Sequence, residues 1–166
     1  MPFVNFVVQE EADRVCLMEA SIEMQPIGHV HTAVSNDDIA HQRRYMESEI
    51  LILPEYAACL DGIEEYSHLF VLFWMDRIDP ADFRPRVHPR GRADLPLTGV
   101  LATRTRHHPN PIGLAVVELV QRQENTLRVR RLDAFDQTPV LDIKPYDDYD
   151  VFTDIRVAQW WPGQRL

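Results

Sequence analysis

Glycine is scarce in this chain: there are 6 among 166 residues, at Gly28, Gly62, Gly91, Gly99, Gly113 and Gly163. None of them builds a GxGxxG turn or a P-loop. A Rossmann-type nucleotide site is therefore not expected, because no glycine turn lets backbone amides close on a pyrophosphate. Cysteine is scarcer still. Cys16 and Cys59 stand far apart and form no CxxC pair, which suggests reduced thiols and a cytoplasmic setting. No apolar run approaches the roughly 18 residues of a membrane span. The first ten residues lack a basic leader, and Glu10 and Glu11 follow soon after, so a signal peptide is not expected. There is no GxSxG element, no internal repeat and no low-complexity tract. Positive charge is also short: 17 Lys and Arg against 26 Asp and Glu leave a net charge of -9. That balance argues against a broad nonspecific grip on nucleic acid.

What is present is strand-like sequence. Apolar residues make up 45% of the chain, enough for one cored domain over residues 1–166. Residues 24–31, 49–53, 66–75, 97–103, 114–121, 126–132 and 140–143 read as strands, separated by turn-rich segments. The aromatic and β-branched run at 66–75 (YSHLFVLFWM) is expected to be a central strand buried on both faces. Residues 54–61 read as a helical turn with Gly62 at its C-cap. Residues 3–8 and 14–19 suggest an extra hairpin within residues 1–23. Short strands at this spacing predict an all-β barrel or sandwich.

The chemistry gathers in two segments. Residues 99–114 run from a strand into a proline-stiffened loop that displays Arg104, Arg106, His107, His108 and Asn110. Such a loop suits an anionic or nucleobase ligand. Residues 133–146 carry a turn at Asp136, Gln137, Thr138 and Pro139, followed by a strand with Asp142 and Lys144 on one face. The turn offers backbone donors and a carboxylate to a ribose or an amino-acid headgroup. A metal is not expected: His29 and His31 would share a strand face, but they have no third ligand at suitable spacing. Positive charge is concentrated at Arg84, Arg86, Arg90, Arg92, Arg104 and Arg106, with Lys144 a further candidate. Any hold on RNA is thus expected to be local, with a shallow salt dependence.

Four runs, in order, carry a family resemblance: PIGHVHT at 26–32, GIEEYSHLFVLFW at 62–74, ATRTRHHPNPIG at 102–113 and DQTPVLDIKPY at 136–146. They resemble the TrmO family, also called the TsaA-like or YaeB-like proteins. The resemblance implies a compact antiparallel β-barrel with short helical turns. It implies a homodimer that uses S-adenosyl-L-methionine to methylate the exocyclic nitrogen of threonylcarbamoyl-adenosine beside the tRNA anticodon. Carried over by motif, Arg104, Leu114, Asp136, Gln137, Thr138 and Pro139 would contact the cofactor, and Asp76 and Arg77 would do so by position. His107, His108 and Asp142 are the candidate catalytic groups, undecided among themselves; Arg106, Asn110, Lys144 and Tyr146 are candidates for the substrate. Trp160 and Trp161 are aromatics suited to an interface.

Three departures from the family pattern stand out. His108 replaces a common arginine, Gln137 replaces a glycine, and Ala40-His41-Gln42 stands in for a Pro-Arg-Gln-like element. The additional C-terminal domain of many bacterial members is not expected here. Two other readings stay open at this level: a same-fold methyltransferase of a small metabolite, and a cofactor-binding regulator without turnover.

Overall fold

The computed structural model describes residues 22–161. Six antiparallel strands close into a barrel in the order β1 (Gly28–His31), β2 (Glu47–Ile52), β7 (Thr126–Arg130), β6 (Ile112–Gln123), β3 (His68–Trp74) and β8 (Pro139–Pro145). A two-stranded ladder, β4 (Arg86–Val87) with β5 (Thr98–Gly99), sits in the long connection between β3 and β6. The expected all-β barrel is the observed fold.

Alternation builds the core. In β2 Ser48, Ile50 and Ile52 point inward, and in β3 Leu69, Val71 and Phe73 do so. They meet Val30, Ala115, Val117, Leu127, Val129 and Val140 in one cluster. The outer residues of β3 are only half-buried, so the expectation that this strand is covered on both faces is corrected. Its neighbours are other strands of a single closed sheet, and among the described residues no second layer lies outside it.

Other expectations also change. The strand expected at 97–103 is a two-residue strand followed by a 3-10 turn, Val100–Ala102. There the Thr103 hydroxyl donates to the Val100 carbonyl (2.7 Å), closing a local turn instead of a ladder. The loop at 35–48 holds a helix, α1 (Asn36–Gln42), capped by Ser35, whose side chain accepts from the Asp38 amide. The first strand is shorter than 24–31 because Pro26 cannot donate to a ladder. The helical turn after β2 is a 3-10 helix, Pro54–Leu60, with Gly62 left-handed (φ 85°) just beyond it. The hairpin expected within residues 1–23 falls almost wholly outside the described residues.

Gly113 is fixed by packing. A β-carbon there would sit 2.1 Å from the Phe73 ring, on the inner face of the barrel. Gly113→Ala is expected to lose about 3 kcal/mol by overpacking, a fall in Tm of roughly 6–12 °C for a chain this size. Gly99→Ala, where nothing lies within 4 Å of the added carbon, serves as the neutral control. Equal melting temperatures for the two variants would contradict this packing account.

Candidate functional site

The strand order brings four chain segments to one end of the barrel: the end of β1, the end of β3, the start of β6 and the start of β8. The turn before β8 is built by the Thr138 amide donating to the Phe135 carbonyl (3.2 Å). Gln137, its third residue, takes φ 66°, a left-handed conformation that glycine adopts at less cost. The turn is locked to β1 twice, by the Gln137 amide on the Val30 carbonyl (2.8 Å) and the Val30 amide on the Thr138 carbonyl (3.0 Å).

Asp136 is the hub of the turn. Its Oδ1 accepts from the Thr32 amide (3.0 Å) and meets His31 Nδ1 (3.0 Å). These contacts, the Thr32 amide first, hold its carboxyl below the usual range, so it is ionised at neutral pH. The Arg77 guanidinium donates to the Asp136 carbonyl (2.8 Å) and lies 5.0 Å over the Phe135 ring. Asp76 is exposed beside it at the end of β3.

On the other wall, β7 covers only the Glu118–Gln123 half of β6. The near half has strand β3 on one side and the 100–110 loop on the other. Arg104 reaches across to donate to the Leu114 carbonyl (3.0 Å). Its other donors remain available. Asp133 lies close enough to feel both Arg104 and Arg43, while loss of hydration pushes its carboxyl above the usual range. In the loop, His107 Nδ1 meets the Asp82 carbonyl (2.9 Å) and His108 Nε2 meets the Thr103 carbonyl (3.0 Å). A carbonyl only accepts, so each of those nitrogens carries the proton. In its neutral form His107 then has Nε2 as acceptor and His108 has Nδ1, and neither nitrogen has a partner among the described residues. Asn110 is exposed at the loop tip.

Lys144 and Tyr146 are not brought to this end. Asp142 pairs with Lys144 (2.7 Å) on the outer face, and its Oδ1 also accepts from the Ile143 amide (2.9 Å). The Tyr146 amide donates to the carbonyl of His68, at the opposite end of β3, and its ring packs edge-on against Phe70 at 5.3 Å. A strand of this length separates Tyr146 from the turn by about 20 Å. Between them lies an apolar outer face. Phe70 faces Val116, Leu72 faces Leu114 and Trp74 faces Ile112 across β3 and β6, with Ile112, Leu114 and Val116 exposed.

Sequence reasoning missed His31, Thr32 and Phe135, which brace the turn. His31 was weighed only as a metal ligand; here it is committed to Asp136. Among the described residues no group of three or more His, Cys, Asp or Glu side chains is placed to hold a metal ion. An open groove of about 490 Å³, lined by Pro54, Ala57, Asp61, Arg122 and Asn125, lies elsewhere. Its Arg122 is saturated by Asp61, Glu64 and the Leu60 carbonyl.

A small closed barrel with a braced turn, an arginine and two oriented imidazoles at one end defines a ligand-binding protein of non-Rossmann type. Residues 30–151 match the tRNA-methyltransferase O N-terminal domain, and the chain belongs to that family. A probable S-adenosyl-L-methionine-binding protein of Methanothermobacter thermautotrophicus is 43% identical over 138 residues, covering 81% of this chain and 97% of that one. The tRNA (adenine(37)-N6)-methyltransferase of Escherichia coli is 40% identical over 101 residues, 58% of this chain and 43% of that protein. The crystal structure of TrmO from Pseudomonas aeruginosa superposes with a TM-score of 0.66 at 31% identity, over 82% of this chain and 61% of that one. The chain thus spans under two thirds of the methyltransferases it matches but nearly all of the archaeal binding protein.

Proposed function

We propose that this protein methylates the exocyclic nitrogen of threonylcarbamoyl-adenosine beside a tRNA anticodon, with S-adenosyl-L-methionine as donor, in the cytoplasm. The observation that carries the reading is that the Arg104–Leu114 contact and the braced Asp136 turn lie at the same end of the barrel. The donor set fits the cofactor. Free guanidinium donors of Arg104 suit its carboxylate, the ionised Asp136 suits an ammonium or ribose hydroxyl, and exposed Leu114 offers an apolar surface to the base. Bound there, the cofactor supplies a methyl group on a positively charged sulfur, already activated for in-line displacement. The protein's work is to align the acceptor nitrogen and exclude water. His107 Nε2 is the acceptor placed to take the proton from a weakly nucleophilic carbamoyl-bearing nitrogen. Asn110 and Arg106 would hold the base edge and a phosphate.

The active unit in this reading is a homodimer joined through the apolar outer face of β3 and β6. Leu114 belongs to that face and to the cofactor wall at once, so a second copy there also covers the cofactor. Antiparallel pairing of two such faces brings the partner's far end, with its Lys144 and Tyr146, toward this chain's turn. One chain alone leaves those two substrate candidates about a strand length away.

The test is isotope-labelled methyl transfer from the donor to tRNA purified from cells lacking the gene, read by mass spectrometry of the nucleosides. Methylated threonylcarbamoyl-adenosine is the expected product. Label appearing in small metabolites and not in tRNA would overturn the reading.

The two loop arginines separate on cofactor binding. Arg104→Ala is expected to weaken S-adenosyl-L-methionine by about 1.5–3 kcal/mol through loss of a charge-assisted contact, whereas Arg106→Ala leaves it nearly unchanged. Calorimetry on both variants is the check, and equal affinities would remove Arg104 from the site.

A further inference from the structure

The arginine-rich stretch is sorted by the fold into spent and free charges. Arg92 is paired with Asp94 (Nε to Oδ1, 3.1 Å), and Arg90 stacks on the Trp161 ring at 4.5 Å. Arg104 is held by the Leu114 carbonyl. Arg84, Arg86 and Arg106 remain. All three are exposed, and among the described residues their guanidinium groups make no ion pair and no hydrogen bond.

They also lie together. The Arg84 amide donates to the His107 carbonyl (3.3 Å), which lays its segment along the loop that carries Arg106 and His107. Arg86 follows in β4, where it alternates outward while Val87 is buried. Phe83, directly before Arg84, is 46% exposed although it is a large apolar ring. Of the acidic side chains in this segment, Asp79 is turned onto the Ala81 amide (2.8 Å), and half-buried Asp82 precedes Phe83. The result is a small basic rim with an uncovered aromatic, beside the imidazole with a free acceptor, on a chain whose net charge is -9.

We infer that Arg84, Arg86 and Phe83 extend the site into a docking surface for single-stranded RNA flanking the methylated nucleoside. The arginines would take phosphate groups, and the phenyl ring would stack an unpaired base. This rests on the proposed tRNA reading, narrows the arginine-rich stretch to Arg84 and Arg86 beside the site, and adds Phe83. Guanidinium forks match phosphate geometry, and an exposed ring beside them is the pairing that unstacked RNA loops use. An acidic peptide would use the arginines but would leave the ring without a base to stack.

The experiment is binding of a synthetic anticodon stem-loop to the full chain across a salt series, with S-adenosyl-L-methionine affinity measured in parallel. Each phosphate contact on a single strand contributes about 0.7 to the salt slope. The double variant Arg84→Gln, Arg86→Gln is expected to lower the slope by about 1.4 and to weaken RNA binding about tenfold or more, with cofactor affinity unchanged. Phe83→Ala is expected to weaken binding with no change in slope, since it carries no charge. Arg128→Gln, whose guanidinium bonds Gln121 on β6, is the control. Wild-type affinity and slope in the double variant would overturn this surface while leaving the tRNA reading intact. A wild-type chain that binds cofactor but no RNA at low salt would overturn both.

Discussion

Replacing His107 with asparagine is expected to lower kcat by about 10²–10⁴ while S-adenosyl-L-methionine affinity stays within about twofold. The asparagine amide can still donate to the Asp82 carbonyl in place of Nδ1, so the loop keeps its brace. What disappears is the unprotonated Nε2. The other two candidates have less to offer. His108 keeps Nδ1 as acceptor but is tied by Nε2 within its own loop to the Thr103 carbonyl, whereas His107 is tied across to Asp82 beside the basic rim; both Asp142 oxygens are engaged, by Lys144 and by the Ile143 amide. His108→Ala is therefore expected to act through loop order, and Asp142→Asn to be mild. Single-turnover methyl transfer with saturating cofactor is the measurement. A His107→Asn variant with wild-type kcat, or an Asp142→Asn variant that loses as much, would move the proton acceptor elsewhere.

The second large effect is expected from Val116→Asp. Val116 faces Phe70 on the outer surface and is 37% exposed, so one chain tolerates a carboxylate there. A dimer does not, because two acids would be buried against apolar surface and against each other, at several kcal/mol. Sedimentation should show the wild type at twice the 19.3 kDa chain mass and the variant at the single mass. Methyl transfer should fall by about 100-fold or more, as the partner's cover over the Leu114 wall is lost. A single cooperative unfolding transition of the variant would show that the monomer itself is folded. A wild type that sediments as monomer at micromolar concentration, or a fully active Val116→Asp, would refute the shared site.

Much of the barrel was legible because strand signals are local. The His68–Trp74 and Ile112–Gln123 strands announce themselves by aromatic and β-branched residues, and their ends by Pro111 and Asn125. Where the reading erred, a competing local bond won. Residues 97–103 are apolar enough for a strand, yet Thr103 closes on Val100 and the segment becomes a turn. The short α1 carries a recognisable cap at Ser35 with Asp37 and Asp38 in its first turn. It went unread because seven residues give too little periodicity to outweigh a loop.

By itself the sequence determined that the chain forms an all-β domain without a glycine-rich nucleotide turn, and it gathered the candidate site residues at 102–113 and 136–146. Those properties depend on residue type and short-range alternation, which survive in any strand order. Tertiary structure decided the rest. His31 and Asp136 are 105 positions apart and touch only because β1 pairs with β8. Arg77 reaches the same turn across 59 positions, while Tyr146, ten residues from Asp136, is carried to the far end of its strand. The hold of Asp82 on His107, across 25 positions, likewise follows from contacts between distant segments. Such contacts are set by the order in which strands close the barrel, and local sequence patterns do not encode that order.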